Sequence, residues 1–171
     1  MCYVFHQQNA VKDLRHVPIV ALVAFSAVVS AQGNSNLSGT WAIERGAAPG
    51  GRGAGGISGI PIATTLVIKV SPDDITMESD TGSGQTIQTF VYKLDDTAHP
   101  IPGALGWETQ AKASWESGNF VVMTKRSMQG PTGTLGVEVK DVYSVAGDVL
   151  TIDRSLGRAT QKLVYRKGAP R

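Results

Sequence analysis

Cysteine is almost missing from this 171-residue chain; the single one is Cys2. Beyond it, disulfide staples and thiol chemistry are excluded. Histidine is scarce too, with three in all and only His99 beyond residue 16. A metal site needs several clustered ligands, so none is expected. No excess of one charge exists either, with 16 Lys and Arg against 14 Asp and Glu. That balance leaves no electrostatic footprint for nucleic acid or anionic lipid. Long apolar runs are absent. The longest, Val17–Val29, has 13 residues, whereas a membrane-spanning helix needs roughly 20. No membrane anchoring is expected from it.

That short run reads instead as an export signal. Lys12, Arg15 and His16 flank it on the basic side, and it closes on Val29-Ser30-Ala31, a small-x-small cleavage site. Cleavage after Ala31 is expected, which places the remaining chain in the periplasm or outside the cell. Asp13 and the length of the stretch before the run suggest a true start downstream of Met1. Residues 32–171 hold 14 basic and 13 acidic residues. Their length suits one domain with one core, and a monomer is expected.

Within 32–171 the dominant pattern is period two, the mark of half-buried strands. Leu37, Trp41 and Ile43 share a face, as do Leu66, Ile68 and Val70, and then Ile75 and Met77. Ser71-Pro72-Asp73-Asp74 has the chemistry of a turn. Phe90, Tyr92 and Leu94 alternate with polar neighbours, and so do Trp107, Thr109, Ala111, Ala113 and Trp115. Ser117-Gly118 predicts a two-residue hairpin that pairs Trp115 with Phe120. Val122, Thr124 and Arg126 then share the Phe120 face, although Val121 and Met123 leave that register open. Val137, Val139, Asp141, Tyr143 and Val145 line another face. A Gly147-Asp148 turn carries it on to Leu150 and Ile152, and Leu163 and Tyr165 mark the last strand.

Two segments are expected to be loops. Gly46–Gly59 is half glycine, seven of fourteen residues, and is read as a flexible insert. His99–Gly106 carries Pro100 and Pro102. About nine strands and no helix give an all-β class, a single antiparallel up-and-down meander. Unprotected edges favour its closure into an 8–10-stranded lipocalin-like barrel, with a two-sheet sandwich as the alternative. Outward Glu78, Lys93, Glu108 and Lys112 disfavour a lipid-embedded barrel.

The opening Asn36-Leu37-Ser38-Gly39-Thr40-Trp41 resembles the calycin superfamily, the lipocalins and fatty-acid-binding proteins, whose first strand begins Gly-x-Trp. A nearer resemblance is to small secreted bacterial proteins of uncharacterised function. Those open on N-x-SGTW, carry a hairpin like Ala113–Asn119 and close on a strand like Lys162–Lys167. The resemblance implies a barrel whose end is plugged by Trp41, with Arg166 or Lys167 over its ring. It also implies an interior cavity. The family's Arg-x-Tyr carboxylate clamp on the last strand is broken here, because Leu163 stands in the Arg position before Tyr165.

Other motifs are explained without chemistry. Gly51–Gly56 matches GxGxxG, but no helix follows it to hold a pyrophosphate. Asp95-Asp96 near His99 reads as turn chemistry rather than a cation site. Asn36-Leu37-Ser38 fits a glycosylation sequon and reads as the start of a strand. No catalytic constellation, metal site or cofactor site is visible, so an enzyme is not expected.

Two function readings follow. The first is an exported binding module that holds a small apolar or amphipathic ligand. Its lining would be Phe90, Tyr92, Trp115, Tyr143 and Tyr165, with Asp141 and its expected partner Arg126 as the polar spot. The second is a filled barrel that contacts another protein through its loops, with those aromatics as plain core. Interior volume separates the two.

Overall fold

The computed structural model describes residues 35–44, 62–82, 87–103 and 106–168. The expected signal peptide (1–31) and the glycine-rich insert (46–59) lie outside these residues. A 3-10 turn, Ser35–Leu37, leads into β1 (Gly39–Ile43). Then come β2 (Thr65–Val70), β3 (Asp74–Asp80), β4 (Gln88–Lys93) and the short β5 (Ala98–Pro100). The second half holds β6 (Glu108–Glu116), β7 (Asn119–Gly130), β8 (Gly133–Ala146), β9 (Val149–Leu156) and β10 (Ala159–Lys167).

All ten strands are antiparallel and belong to one sheet, in the order β4-β3-β2-β1-β10-β9-β8-β7-β6-β5. The two ends of that order, β4 and β5, are consecutive in the chain, and only Leu94–Thr97 joins them. So short a link can connect the two edges only if the sheet curls round on itself. The result is a nearly closed up-and-down barrel, with β1 paired to β10 and an unzipped seam between β4 and β5. The sandwich alternative is thereby set aside.

Turn chemistry sets the registers. Ser117 and Gly118 both have positive φ, 49° and 82°, which is what a two-residue type I′ hairpin requires. Trp115 consequently faces Phe120, as the sequence predicts. Val122 then lies opposite Asp141, and Phe120 opposite Tyr143. The neighbouring Val121, on the alternate row, is buried as well.

One expected loop is partly a strand. Ala98–Pro100 pairs with Gln110–Lys112 of β6. Proline is tolerated there because β5 is an edge strand with no neighbour on its other side. Asp95 holds the turn before it, accepting from the Thr97 backbone and hydroxyl at 3.1 and 2.8 Å.

The barrel end is closed by Trp41, which is fully buried. Its Nε1 donates to the Leu37 carbonyl at 3.0 Å. Lys167, not Arg166, lies over the ring, with Nζ 5.5 Å from its centroid. Arg166 is one residue out of phase; it is exposed and reaches Glu44 at 3.4 Å. Gly39 has φ +142°, and a Cβ there would crowd the Lys167 Cε at 3.1 Å. The Gly-x-Trp spacing thus lets the cation cross a glycine to reach the indole.

Trp41→Ala is expected to destabilise the protein by about 3–5 kcal/mol, the usual loss for a buried large aromatic. Urea unfolding checks this. A loss below about 1 kcal/mol would mean that the plug is not structural.

Candidate functional site

The inward row of each strand is set by period two, and those rows leave a cavity of about 300 Å³ inside the barrel. Leu66 on β2, Met77 on β3, Ile152 on β9 and Leu163 on β10 supply apolar wall. Phe90 and Tyr92 come from β4, and Ile101, Pro102 and Gly103 come from the segment after β5. The cavity is therefore lined from both sides of the seam. Thr109, Thr124, Arg126, Asp141, Tyr143, Arg154 and Tyr165 add the polar surface.

At the centre of that polar surface is a buried ion pair. Arg154 Nε donates to Asp141 Oδ1 at 2.8 Å and Nη2 donates to Oδ2 at 2.9 Å. The two residues are direct cross-strand partners on β8 and β9, and each side chain is 8% exposed. Asp141 is therefore inward and paired. Its bidentate partner, however, is Arg154 rather than Arg126. The β7 register puts Arg126 opposite Val137, four residues along both strands from the Val122–Asp141 pair. The Arg126 guanidinium carbon lies 4.9 Å from the Trp107 ring centroid. The row Leu150, Ile152 continues to Arg154 with the same period, which gives its face but not its partner.

Six of the seven expected lining residues do line the cavity: Phe90, Tyr92, Arg126, Asp141, Tyr143 and Tyr165. Trp115 does not. It is half-buried and packs on Phe120, with ring centroids 5.7 Å apart. Phe120 in turn meets Tyr143 at 5.3 Å and Tyr92 at 5.9 Å. That chain of rings is core on the Trp115 side and cavity wall on the Tyr92 and Tyr143 side. Ser79, Thr81, Gln88, Thr109, Thr124 and Arg154 are polar lining residues that residue type alone did not single out.

The interior strongly favours neutral phenols. Burial pushes the Tyr92, Tyr143 and Tyr165 hydroxyls above their ordinary range, and the Asp141 charge adds to this in each. Burial alone would loosen the proton of Arg154. The hydrogen bonds and charge of Asp141 outweigh that and hold the guanidinium ionised. Tyr165 Oη donates to the Ala63 carbonyl at 3.0 Å. Among the described residues two buried side-chain atoms have no hydrogen-bond partner: Thr109 Oγ1 and Arg154 Nη1.

Outside the barrel, His99 Nε2 meets both carboxylate oxygens of Asp95 at 2.8 and 3.0 Å and the Thr97 hydroxyl at 2.7 Å. All of these contacts fall on one ring nitrogen. Hydrogen bonds from Thr97, then His99, lower the Asp95 pKa to about 2. Among the described residues no three His, Cys, Asp or Glu side chains gather as metal ligands.

No protein-family profile matches this chain, and no curated protein matches it. Solved structures do match. One is a secretory abundant heat soluble (SAHS) protein from Ramazzottius varieornatus, with a TM-score of 0.56 and 16% identity. The match covers 78% of this chain and 96% of that one. The likeness establishes the fold, a lipocalin- and fatty-acid-binding-protein-like β-barrel.

The ion pair generates a prediction. Arg154→Met alone strands a buried carboxylate and should cost about 3–5 kcal/mol. Asp141→Leu together with Arg154→Met should cost less than about 1 kcal/mol or be stabilising, because no desolvated charge remains. Chemical denaturation of both variants measures the difference.

Proposed function

We propose that this chain is an exported binding module that holds a small apolar or amphipathic molecule inside its barrel. The observation that carries the reading is the cavity of about 300 Å³, apolar over much of its wall and polar at Asp141–Arg154. Ligand sites have this make-up: apolar lining and a few fixed polar groups, in volumes of roughly 300–1,000 Å³. The cavity sits at the lower end of that range, which suits a small ligand. An interior packed solid by its aromatics would favour the protein-interaction reading instead. Phe90, Tyr92 and Tyr143 border open space, so the binding reading is preferred.

Export rests on the Val17–Val29 run and its Val29-Ser30-Ala31 ending. N-terminal sequencing of protein recovered from outside the cytoplasm should begin at Gln32. An intact Met1 on a cytoplasmic pool would refute export.

The uncharged fluorophore 1-aminoanthracene tests the binding reading. Its emission should rise on adding the protein. Met77→Trp, which fills the cavity from β3, should weaken binding at least about tenfold. Trp115→Ala should leave it within about twofold, because Trp115 is not on the wall. If neither fluorophore titration nor native mass spectrometry finds a bound molecule, the filled-barrel reading replaces this one.

A further inference from the structure

The β7–β8 ladder outruns its neighbours. It pairs residues from Phe120–Tyr143 to Gly130–Gly133. On one flank β6 stops at Ser127. On the other, β9 first meets β8 at Lys140. The end of this hairpin is therefore a two-stranded ribbon that runs on past the strands beside it. Among the described residues no strand pairs with Gly133–Glu138 on the β9 side. Every second residue of that edge turns its N–H and C=O away from β7.

The two faces of the ribbon differ. On one, Lys125 reaches Glu138 at 3.5 Å, and the Thr134 hydroxyl donates to Gln129 Oε1 at 3.2 Å. The other continues the inward row of the barrel, with Arg126 opposite Val137 and Met128 opposite Leu135. Leu135 is 54% exposed there, a large apolar side chain left in water. The edge beside it lacks the usual protection. Native edges are blunted by lysine, proline or bulges, as Lys93 does on β4 and Pro100 on β5. Gly133–Glu138 contains no lysine, arginine or proline, and its one charge, Glu138, is held by Lys125. A two-stranded ribbon is also barely stable by itself in water. Strands added to its free edge would cover the backbone and the leucine together.

We propose that the β8 edge of this ribbon pairs with the same edge of a second copy of the chain, which joins two ribbons into one four-stranded antiparallel sheet. A second copy is the occupant because the edge is complementary to itself. Two-fold pairing centred on Leu135 sets that residue against Leu135 of the second copy. Thr134 then meets Gly136, and Gly133 meets Val137. Directly opposed residues share a face, so one apolar row runs Met128, Leu135, Leu135, Met128 across the four strands. No charged residue lies in the paired stretch. The contact is isologous and closed, so it stops at two copies. One short strand pair makes a small interface. Association is therefore weak, and the monomer expected from the sequence is the dilute form. This pairing is independent of what the cavity holds.

Sedimentation equilibrium of the intact protein tests the dimer. The apparent mass should rise from one chain toward two between about 5 and 500 µM. Leu135→Lys sets two like charges at the axis and should weaken the dimer at least about tenfold. It should leave the melting temperature in dilute solution unchanged, because the side chain is exposed in the single chain. Cross-linking reads the register. A Cys2→Ser background has no other thiol. Opposed Cα atoms of an antiparallel pair lie about 4.5–5.5 Å apart, within the span of a disulfide. On mild oxidation Leu135→Cys should give disulfide-linked dimers at least about tenfold faster than Val91→Cys, an exposed position on β4.

A protein that stays monomeric at about 500 µM, and cross-links no faster through Leu135→Cys than through Val91→Cys, would overturn the proposal. A dimer that survives Leu135→Lys, or that cross-links best through Val91→Cys, would also overturn it, because another surface would then hold the two copies.

Discussion

Trp41 and Lys167 face each other across the junction of β1 and β10, and that junction turns a strip of hairpins into a barrel. Every other ladder joins strands that are neighbours in sequence, so each closes a far shorter stretch of chain, the longest being residues 44–64 between β1 and β2. This one joins residues near opposite ends of the domain. It must overcome the largest loop-closure entropy in the fold, although that entropy grows only slowly with length. Several interactions converge there. The indole is fully buried and donates to Leu37, Lys167 covers its face, and Gly168 N donates to the Thr40 carbonyl at 2.9 Å. Tyr165 adds a hydrogen bond to Ala63, just before β2. Leu163 and Tyr165 on β10 and Leu66 on β2 lie on either side of the junction and all line the cavity. Without closure those walls would separate.

The opposite seam is treated differently. β4 and β5 end the sheet without a ladder between them, which leaves two edges that could pair with another chain. Each edge is blunted. β5 has three residues and ends in Pro100, which has no N–H to offer. Lys93 and Gln88 are exposed on β4, and Lys112 beside β5 is tied to Asp96 at 2.8 Å. The seam is bridged by side chains instead, with Tyr92 of β4 packing edge-on against Phe120 of β7. Such a seam can part locally at less cost than a hydrogen-bonded ladder, because only side-chain packing has to give. It also contributes Phe90 on one side and Ile101 on the other to the cavity wall.

Much of this was legible in the sequence, and the misses have physical causes. Period two located the strands because each has one wet and one dry face. Ser117-Gly118 gave the β6–β7 register because only a primed turn suits two residues there. Asp141 could be placed inward from Val139 and Tyr143 alone. Its partner could not, because naming it required the β8–β9 register, which hangs on Gly147-Asp148, as well as the β7–β8 one. Arg126 and Arg154 are both inward arginines on strands flanking β8, and two ladders had to be solved to choose between them. Trp115 was misplaced for a related reason. Alternation tells which face a ring is on but not how far along the barrel the empty space extends. Arg166 and Lys167 differ by one residue, which in a strand reverses the face. The Pro-containing β5 was hidden because an edge strand of three residues leaves no periodic trace.

The ion pair inside the barrel is hard to explain by stability. Removing both ions from water costs several kcal/mol each, and well-packed apolar replacements usually do as well or better. Asp141 and Arg154 lie between Ile152 and the β8 core residues Val139 and Tyr143, where a pair of aliphatic side chains could have continued the packing. Nor does the pair satisfy itself, since Arg154 Nη1 is left over. What the pair does accomplish is to fix a carboxylate and a planar guanidinium at one point of the cavity wall with no net charge. A solvated arginine could not be held so rigidly, and an unpaired buried one would not remain neutral in its effect on a ligand. In the binding module proposed above the pair is the polar end of the site, a reason for its presence that stability does not supply.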